Sequence, residues 1–390
     1  MNAHTNKLAV AGLVLTLGCA LGFAGAAVKR KTSQEERKTR AVVLIVADGL
    51  RWQEVFTGAD SGLLNSKYGG IWTKPEDLKR AYWRETEEER REALLPFLWE
   101  VVAKQGQLYG NQTKGSVARV TNGLAFSYPG YNEMLTGRPD PRINSNDFGP
   151  NPNVTVFEWL NAQEKFRGRV AVFATWGVFR DIFNQPRSGL DVHAGWNLPY
   201  PGSGLTPREE LVNHFYQHTT RLDEDDTYDS FLQIPLLDYV KSRQPRVLFV
   251  CYGETDNWAH SGRYDLLLES AHEFDHFVAE LWNTMQQIPD YRGRTTFLIT
   301  TDHGRGSGLK EWKEHGKKVK GAANIWLAAI GPDTPPLSER AHVASITQSQ
   351  IAATIAALLG HDYRRDFPAA AAPLRALIAN GDIPSQSATQ

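Results

Sequence analysis

Cysteine is nearly missing from this sequence, with two in 390 residues. At most one disulfide can form, so a disulfide-stapled scaffold is excluded. A surplus of either charge is missing too: lysine plus arginine total 43 against 44 aspartate plus glutamate, a formal net charge of -1. That balance argues against specific nucleic-acid binding and against electrostatic attraction to an anionic membrane. No internal repeat recurs, which excludes a solenoid. What remains is a globular composition, 41% apolar and 22% charged. It excludes general disorder, and the length allows one large domain or two ordinary ones.

A single long apolar run stands at the N-terminus. Met1 to Lys7 is short and carries one positive charge, and Leu8 to Phe23 is almost wholly apolar and ends at Ala24-Gly25-Ala26. A charged n-region, an apolar h-region and an A-x-A site make a secretory signal peptide of residues 1–26. The protein is therefore expected to be exported, periplasmic or secreted. The competing expectation is an uncleaved membrane anchor, since about 20 apolar residues span a bilayer. A lipoprotein signal fits poorly, because Thr16 stands where a bulky aliphatic residue belongs upstream of Cys19. Cleavage leaves Cys251 alone, and the body must then be held by its apolar core. Residues 27–40 are polar and basic and read as a linker.

Ala41 to Ala47 (AVVLIVA) opens the body as a continuous apolar run. Val170 to Ala174, Val247 to Tyr252, Thr295 to Thr301 and Ile325 to Ile330 are similar. Being β-branched and unalternating, they read as strands buried on both faces, as in a parallel sheet. Helical patterns cover Leu94 to Gln105, Val154 to Lys165, Tyr264 to Gln287 and Ile346 to Leu359, the last stopped by Gly360. The alternation predicts an α/β fold, a doubly wound and mostly parallel sheet with helices on both faces. Asp77 to Glu92 reads as a solvated helix face with i,i+4 ion pairs. Residues 176–233 are too long for an ordinary connection and read as a cap-like insertion. Residues 363–390 read as a weakly ordered tail.

Ligands of open α/β sheets sit beyond the carboxyl ends of the strands, so the residues after each run matter most. Asp48 follows the first run. Asp256 and His260 follow the third, Asp302 and His303 the fourth, and His315 precedes the last. Three aspartates and three histidines at one sheet edge suit divalent metal ions, zinc or also manganese. Ser127 precedes an apparent helical turn, Tyr131 to Leu135. A serine at a helix N-terminus, with a metal at its oxygen, has the makings of a nucleophile facing a phosphate.

In their order, these elements resemble the alkaline phosphatase superfamily of two-metal phosphatases, phosphodiesterases, phosphomutases and sulfatases. The resemblance runs from Ala41 to about Gly360, and 41–362 is expected to be one metallohydrolase domain. It implies that Asp48, Asp302, His303 and the Ser127 oxygen hold one ion, while Asp256, His260 and His315 hold the other. Three carboxylates and an alkoxide would then offset two divalent cations. The segment Ser127-Tyr-Pro-Gly-Tyr-Asn-Glu-Met-Leu-Thr136-Gly137 is similar to the nucleophile segment of the nucleotide pyrophosphatase/phosphodiesterase branch, with serine in place of its threonine. That branch uses a downstream asparagine on a phosphoryl oxygen, and Asn144 and Asn146 both qualify here. The implied activity is hydrolysis of a small-molecule phosphate ester, diester, nucleotide-like or monoester, through a phosphoseryl intermediate.

Competing readings fit less well. A sulfatase expects arginine where Tyr131 stands, and a phosphoglycerate mutase needs a large second domain between Ser127 and Asp256. His272-Glu273-Phe-Asp-His276 matches the H-E-x-x-H zinc peptidase motif on a helix, but the extended form fails at Ala279. A non-catalytic, metal-stabilised envelope protein is a third possibility. His214 and His218 read as the polar face of a helix. Arg51 and Trp52, beside Asp48, are candidates for the substrate mouth, as is Trp176.

Overall fold

Four of the five apolar runs each form one strand, and the fifth divides between two. The computed structural model describes residue 1, residues 37–221 and residues 223–379. The signal-peptide or anchor expectation, most of the linker and residues 380–390 lie outside them, apart from residue 1. The strands are β1 (Ala41–Ala47), β2 (Gln107–Tyr109), β3 (Ala118–Arg119), β4 (Val170–Ala174), β5 (Asp191–Ala194), β6 (Val247–Tyr252), β7 (Thr295–Thr300), β8 (Asn324–Ile325), β9 (Leu327–Ile330), β10 (Ser338–Glu339) and β11 (Ile346–Thr347). Eight of them make one sheet in the order β10-β2-β9-β7-β1-β6-β4-β5. β1 pairs in parallel with both β6 and β7, β6 with β4, and β4 with β5. Only β9 runs antiparallel, between β7 and β2. β11, β3 and β8 form a small second sheet.

Alternate residues of β1 enter two separate cores. Val42, Leu44 and Val46 join one, and Ala41, Val43, Ile45 and Ala47 join the other. This is the physical reason the run shows no polar alternation. Truncating Ile45 to alanine would cost ~2–5 kcal/mol through lost burial and the cavity left behind. Helix Tyr264–Gln287 lays Leu267, Ala271, Phe274, Val278 and Leu281 on the second core. Helix Gln350–Leu358 is buried in the first. Helices thus cover both faces of a mostly parallel sheet.

Some boundaries differ from the sequence reading, each for a local reason. The run 325–330 is split at Trp326, a buried side chain whose indole N–H donates to Leu50 O at 3.0 Å. The pattern starting at Ile346 begins as strand β11, and its helix starts at Gln350. Asp77 to Glu92 is not one helix. It is divided between helices Pro75–Tyr82 and Glu87–Leu94, the second opened by a capping box of Thr86 and Glu89. The tail expectation fails for residues 363–379: Leu374, Leu377 and Ile378 are buried in the first core, and Ala379 N–H donates to Asp333 O at 2.6 Å. The linker's end is likewise fixed, with Thr39 N–H on the Asp333 carboxylate at 2.7 Å. Residues 176–233 are also not simply a cap, because they supply edge strand β5 in parallel with β4. No helix of the described residues is long and apolar enough to cross a membrane.

Candidate metal centre

β7, β1 and β6 are adjacent at the middle of the sheet. Their carboxyl ends deliver Asp302-His303, Asp48 and helix Glu254–His260 to one place. Asp256 and His260 are four apart on that helix, so they share a face. Gly49 has φ +61, and a Cβ there would lie 2.4 Å from Asp256 Oδ1. Glycine thus lets the β1 turn and the Asp256 carboxylate approach closely. Thr255 Oγ1 donates to Asp48 O at 2.5 Å and ties the two strand ends together.

All six of the expected aspartate and histidine ligands fall in one cluster. One ligand atom each from Asp48, Asp302 and His303 lies within 4.8 Å of the others, and the same holds for Asp256, His303 and His315. His303 Nε2 is 3.5 Å from Asp48 Oδ1, 3.5 Å from Asp302 Oδ2 and 3.7 Å from Asp256 Oδ1. His260 Nε2 lies 3.2 Å from Asp256 Oδ2 and 2.9 Å from His315 Nε2. His303 therefore sits between the two expected ligand sets and not within one alone.

The donor chemistry fits divalent cations. His303 Nδ1–H donates to Gly304 O at 3.1 Å, and His315 Nδ1–H donates to Ala125 O at 3.3 Å. Each ring then presents an Nε2 lone pair to the centre. Tyr131 OH donates to Asp48 Oδ2 at 2.6 Å, and Gly49 N–H donates to Asp302 Oδ1 at 3.1 Å. The second oxygens, Asp48 Oδ1 and Asp302 Oδ2, are buried without a hydrogen-bond partner. Orphaned acceptors of this kind cost about 1–3 kcal/mol each, and more when charged, unless a cation satisfies them.

Electrostatics point the same way. Burial, followed by repulsion from Asp302 and Asp256, pushes Asp48 well above the usual carboxylate range. Burial, followed by Asp256, pushes Asp302 up to about 7. Burial also acts on Asp256, but Arg305, His260 and His303 outweigh it and hold that carboxyl well below its ordinary value. Burial holds His303 down to about 4 and His315 down to about 3, so both rings are neutral. Arg305, fully buried, pairs with Asp256 Oδ1 and donates to Lys313 O at 2.6 Å. The sequence-level charge balance overlooked this cation two residues past His303.

Ser127 opens helix Ser127–Thr136, and its Oγ lies 3.4 Å from His303 Nε2. The loop before it is held by buried Glu133, whose carboxylate accepts from Thr121 N–H at 2.9 Å and Asn122 N–H at 2.9 Å. Ala125, with φ +50, is a strained non-glycine residue two positions before Ser127. Asn146 Oδ1 accepts Tyr128 N–H at 3.0 Å, and Asn146 lines a cavity of about 220 Å³ with Ser127, Asp48, Asp256 and His260. Asn144 is exposed and lies outside that cavity, so it is removed from the candidates. Arg51 is also not at the mouth: it is buried, pairs with Glu54 and donates to Gly306 O at 3.1 Å. Trp176 and Asp226 line the cavity; nothing in the acidic stretch around Asp226 marks it out in the sequence.

The H-E-x-x-H segment does not make a site. His272 Nδ1 donates to Leu94 O at 2.8 Å, while Glu273 and His276 are exposed. Among the described residues, neither candidate metal group includes them. His214 and His218 are exposed on helix Pro207–His218, as expected.

No family model and no curated protein matches the sequence. Solved structures do match in three dimensions. A phosphonate monoester hydrolase from Silicibacter pomeroyi aligns over 90% of this chain and 78% of its own, at 12% identity and TM-score 0.54. A Bacteroides thetaiotaomicron protein provisionally classed as a sulfatase aligns over 88% and 74%, at 12% identity and TM-score 0.53. The Listeria monocytogenes lipoteichoic acid synthase aligns over 84% and 73%, at 11% identity and TM-score 0.52. The chain shares the fold of these hydrolase and synthase structures.

Proposed function

We propose that this chain is a metal-dependent hydrolase of small-molecule phosphate esters that works through a phosphorylated Ser127. The observation that carries the reading is the cluster itself. Two buried carboxylates each keep an uncommitted oxygen, and two neutral imidazoles turn lone pairs inward, beside a serine hydroxyl 3.4 Å from His303 Nε2. Asp48, Asp302, His303 and Ser127 would hold one divalent ion, and Asp256, His260 and His315 the other, zinc or manganese. Such ions supply Lewis-acid charge for the attacking and leaving oxygens.

The chain's own residues do the rest. Ser127 Oγ loses its proton and attacks phosphorus, and the P–O bond to the leaving alcohol breaks as the alcohol takes up a proton. Water then cleaves the phosphoseryl bond, releasing phosphate and returning a proton to Ser127. The positive end of helix Ser127–Thr136 favours the anionic phosphoryl group. Asn146, its amide oxygen fixed by Tyr128 N–H, has its NH2 left to donate to a phosphoryl oxygen. Tyr131 is committed to Asp48, where a sulfatase expects an arginine, and this favours phosphate over sulfate. Residues 1–26 would send the enzyme out of the cytoplasm.

The test is metal analysis followed by a panel of aryl phosphate monoesters, diesters, phosphonates and sulfates on one preparation. About two ions per chain and chelator-sensitive phosphate-ester hydrolysis are expected. Hydrolysis of sulfates alone, or undiminished turnover in Ser127→Ala, would overturn the reading.

A further inference from the structure

The cavity beside Ser127 has a wall that the phosphoryl chemistry does not use. Trp176 follows β4, and Asp226 lies 50 residues on, before helix Asp229–Arg243. The two are directly opposed in an isolated antiparallel bridge. The flanking hydrogen bonds are Thr227 N–H to Thr175 O at 3.0 Å and Gly177 N–H to Asp225 O at 2.9 Å. This makes Trp176 and Asp226 a non-hydrogen-bonded pair, the closer of the two kinds, with side chains on the same face. Phe179 packs edge-on against the indole at 6.1 Å. Both paired residues line the same 220 Å³ cavity as Ser127 and Asn146.

Asp226 is the one carboxylate of that wall outside the metal-ligand set. Its Oδ1 is buried and has no partner. Burial and the neighbouring Asp223 push its carboxyl up to about 7, while Asn257 donates to it and draws it down. Asp223, Glu224 and Asp225 beside it are exposed, and Arg180 interacts with Asp225, leaving acids in excess on this flank. Neither lysine nor arginine lines the cavity among the described residues. A second phosphate or a carboxylate on the substrate would find repulsion here and no partner. A group of positive charge would find the Trp176 indole and the unpartnered Asp226 Oδ1 together.

We propose that Trp176 and Asp226 form a subsite for an ammonium group on the ester, so that preferred substrates are phosphate esters of amino alcohols. This rests on the phosphate-ester reading of the Ser127 centre and names its substrate class. Phosphorus lies at Ser127, and the cationic arm lies against the Trp176–Asp226 wall.

The experiment compares two p-nitrophenyl phosphodiesters on the metal-loaded full chain. In one the second arm is 2-(trimethylammonio)ethyl, and in the other it is the neutral isostere 3,3-dimethylbutyl. We expect kcat/KM about tenfold or more higher for the cation, the scale of a desolvated cation–π contact plus a carboxylate. Asp226→Asn and Trp176→Leu should each bring the ratio toward one. Choline should inhibit the unmodified enzyme competitively where 3,3-dimethylbutanol does not, a readout that needs no variant to fold. A ratio near one in the unmodified enzyme, a ratio surviving both substitutions, or preference for a glycerol arm would overturn the subsite. Bis(p-nitrophenyl) phosphate separates the failures: hydrolysis of it without cation preference sinks only the subsite. If no phosphate ester is cleaved, the hydrolase reading falls, and calorimetric titration with choline decides the subsite alone. Heat of binding lost in Asp226→Asn supports it; no binding overturns it.

Discussion

Removing one of the proposed ligand carboxylates should stabilise this protein clearly when metal is stripped and much less when metal is present. Asp302 is fully buried, and its pKa rises from 3.8 to about 7 through burial and then the Asp256 charge. A carboxyl raised in this way holds its proton more tightly folded than unfolded. It carries no penalty below the unfolded value, a growing penalty between about pH 4 and 7, and a constant one above. At ~1.4 kcal/mol per pH unit the full penalty is about 4 kcal/mol. Asp302→Asn abolishes it, keeps an acceptor for Gly49 N–H, and offers an amide donor to the orphaned Asp48 oxygen. At ~2 cal/mol/K per residue of unfolding entropy, a gain of that size raises Tm by about 5 °C in a body this large. The assay is thermal unfolding of both proteins at pH 4 and pH 8, with chelator or with zinc. With chelator, the variant should melt higher at pH 8, and the difference should vanish at pH 4. With zinc at a hundredfold its Kd, the unmodified protein should gain ~2.7 kcal/mol per ion; the variant forfeits the one ion Asp302 would hold, so its advantage at pH 8 should shrink to about 1 kcal/mol. If Asp302→Asn were equally destabilising with and without metal, the charge argument for the centre would fail.

The other predictions concern single residues. Ser127→Ala should abolish phosphate-ester turnover while leaving the fold intact, with Tm in chelator within error of the unmodified protein. Asn146→Ala should lower kcat/KM about 10–100-fold, the worth of a hydrogen bond to a charged oxygen; Asn144→Ala should leave it unchanged, and the reverse pattern would reassign the phosphoryl contact. Gly49→Ala should destabilise by at least ~1–3 kcal/mol in denaturant titration, because φ is +61 and the added Cβ meets Asp256. Glu273→Gln should leave every hydrolytic activity intact; a loss would revive the peptidase.

What could be seen in the sequence was what repeats or alternates. β1, β4, β6 and β7 are short apolar runs buried on both faces, and such runs announce themselves without tertiary knowledge. Asp48 and Asp302-His303 were visible as candidate ligands because they follow β1 and β7 closely, and a parallel sheet sends such ends to one edge; Asp256, His260 and His315 were marked by the order of the motifs. Tertiary exceptions were not visible. β9 entered the sheet antiparallel, and the run divides at buried Trp326, with β8 in the second sheet. The Ala- and Pro-rich stretch after Tyr363 looked tail-like, yet Leu374, Leu377 and Ile378 dock it on the first core. Arg305 was missed because a basic residue after an Asp-His pair carries no periodic signal, and Asp226 because its partner Trp176 is remote in the chain. Choosing Asn146 over Asn144 needed the Tyr128 N–H, which no spacing rule supplies.

The bond from Thr255 to the Asp48 carbonyl closes a gap of 207 residues. No early fragment of the chain contains a competent ion trap: Asp48 lies near the start, and its partners are spread over the last part of the body. Under the proposed metal reading, ion uptake would wait for nearly complete folding. A chain secreted in unfolded form would acquire its ions only at its destination, so the ion it carries would reflect supply in the compartment where it matures and not in the one where it is made.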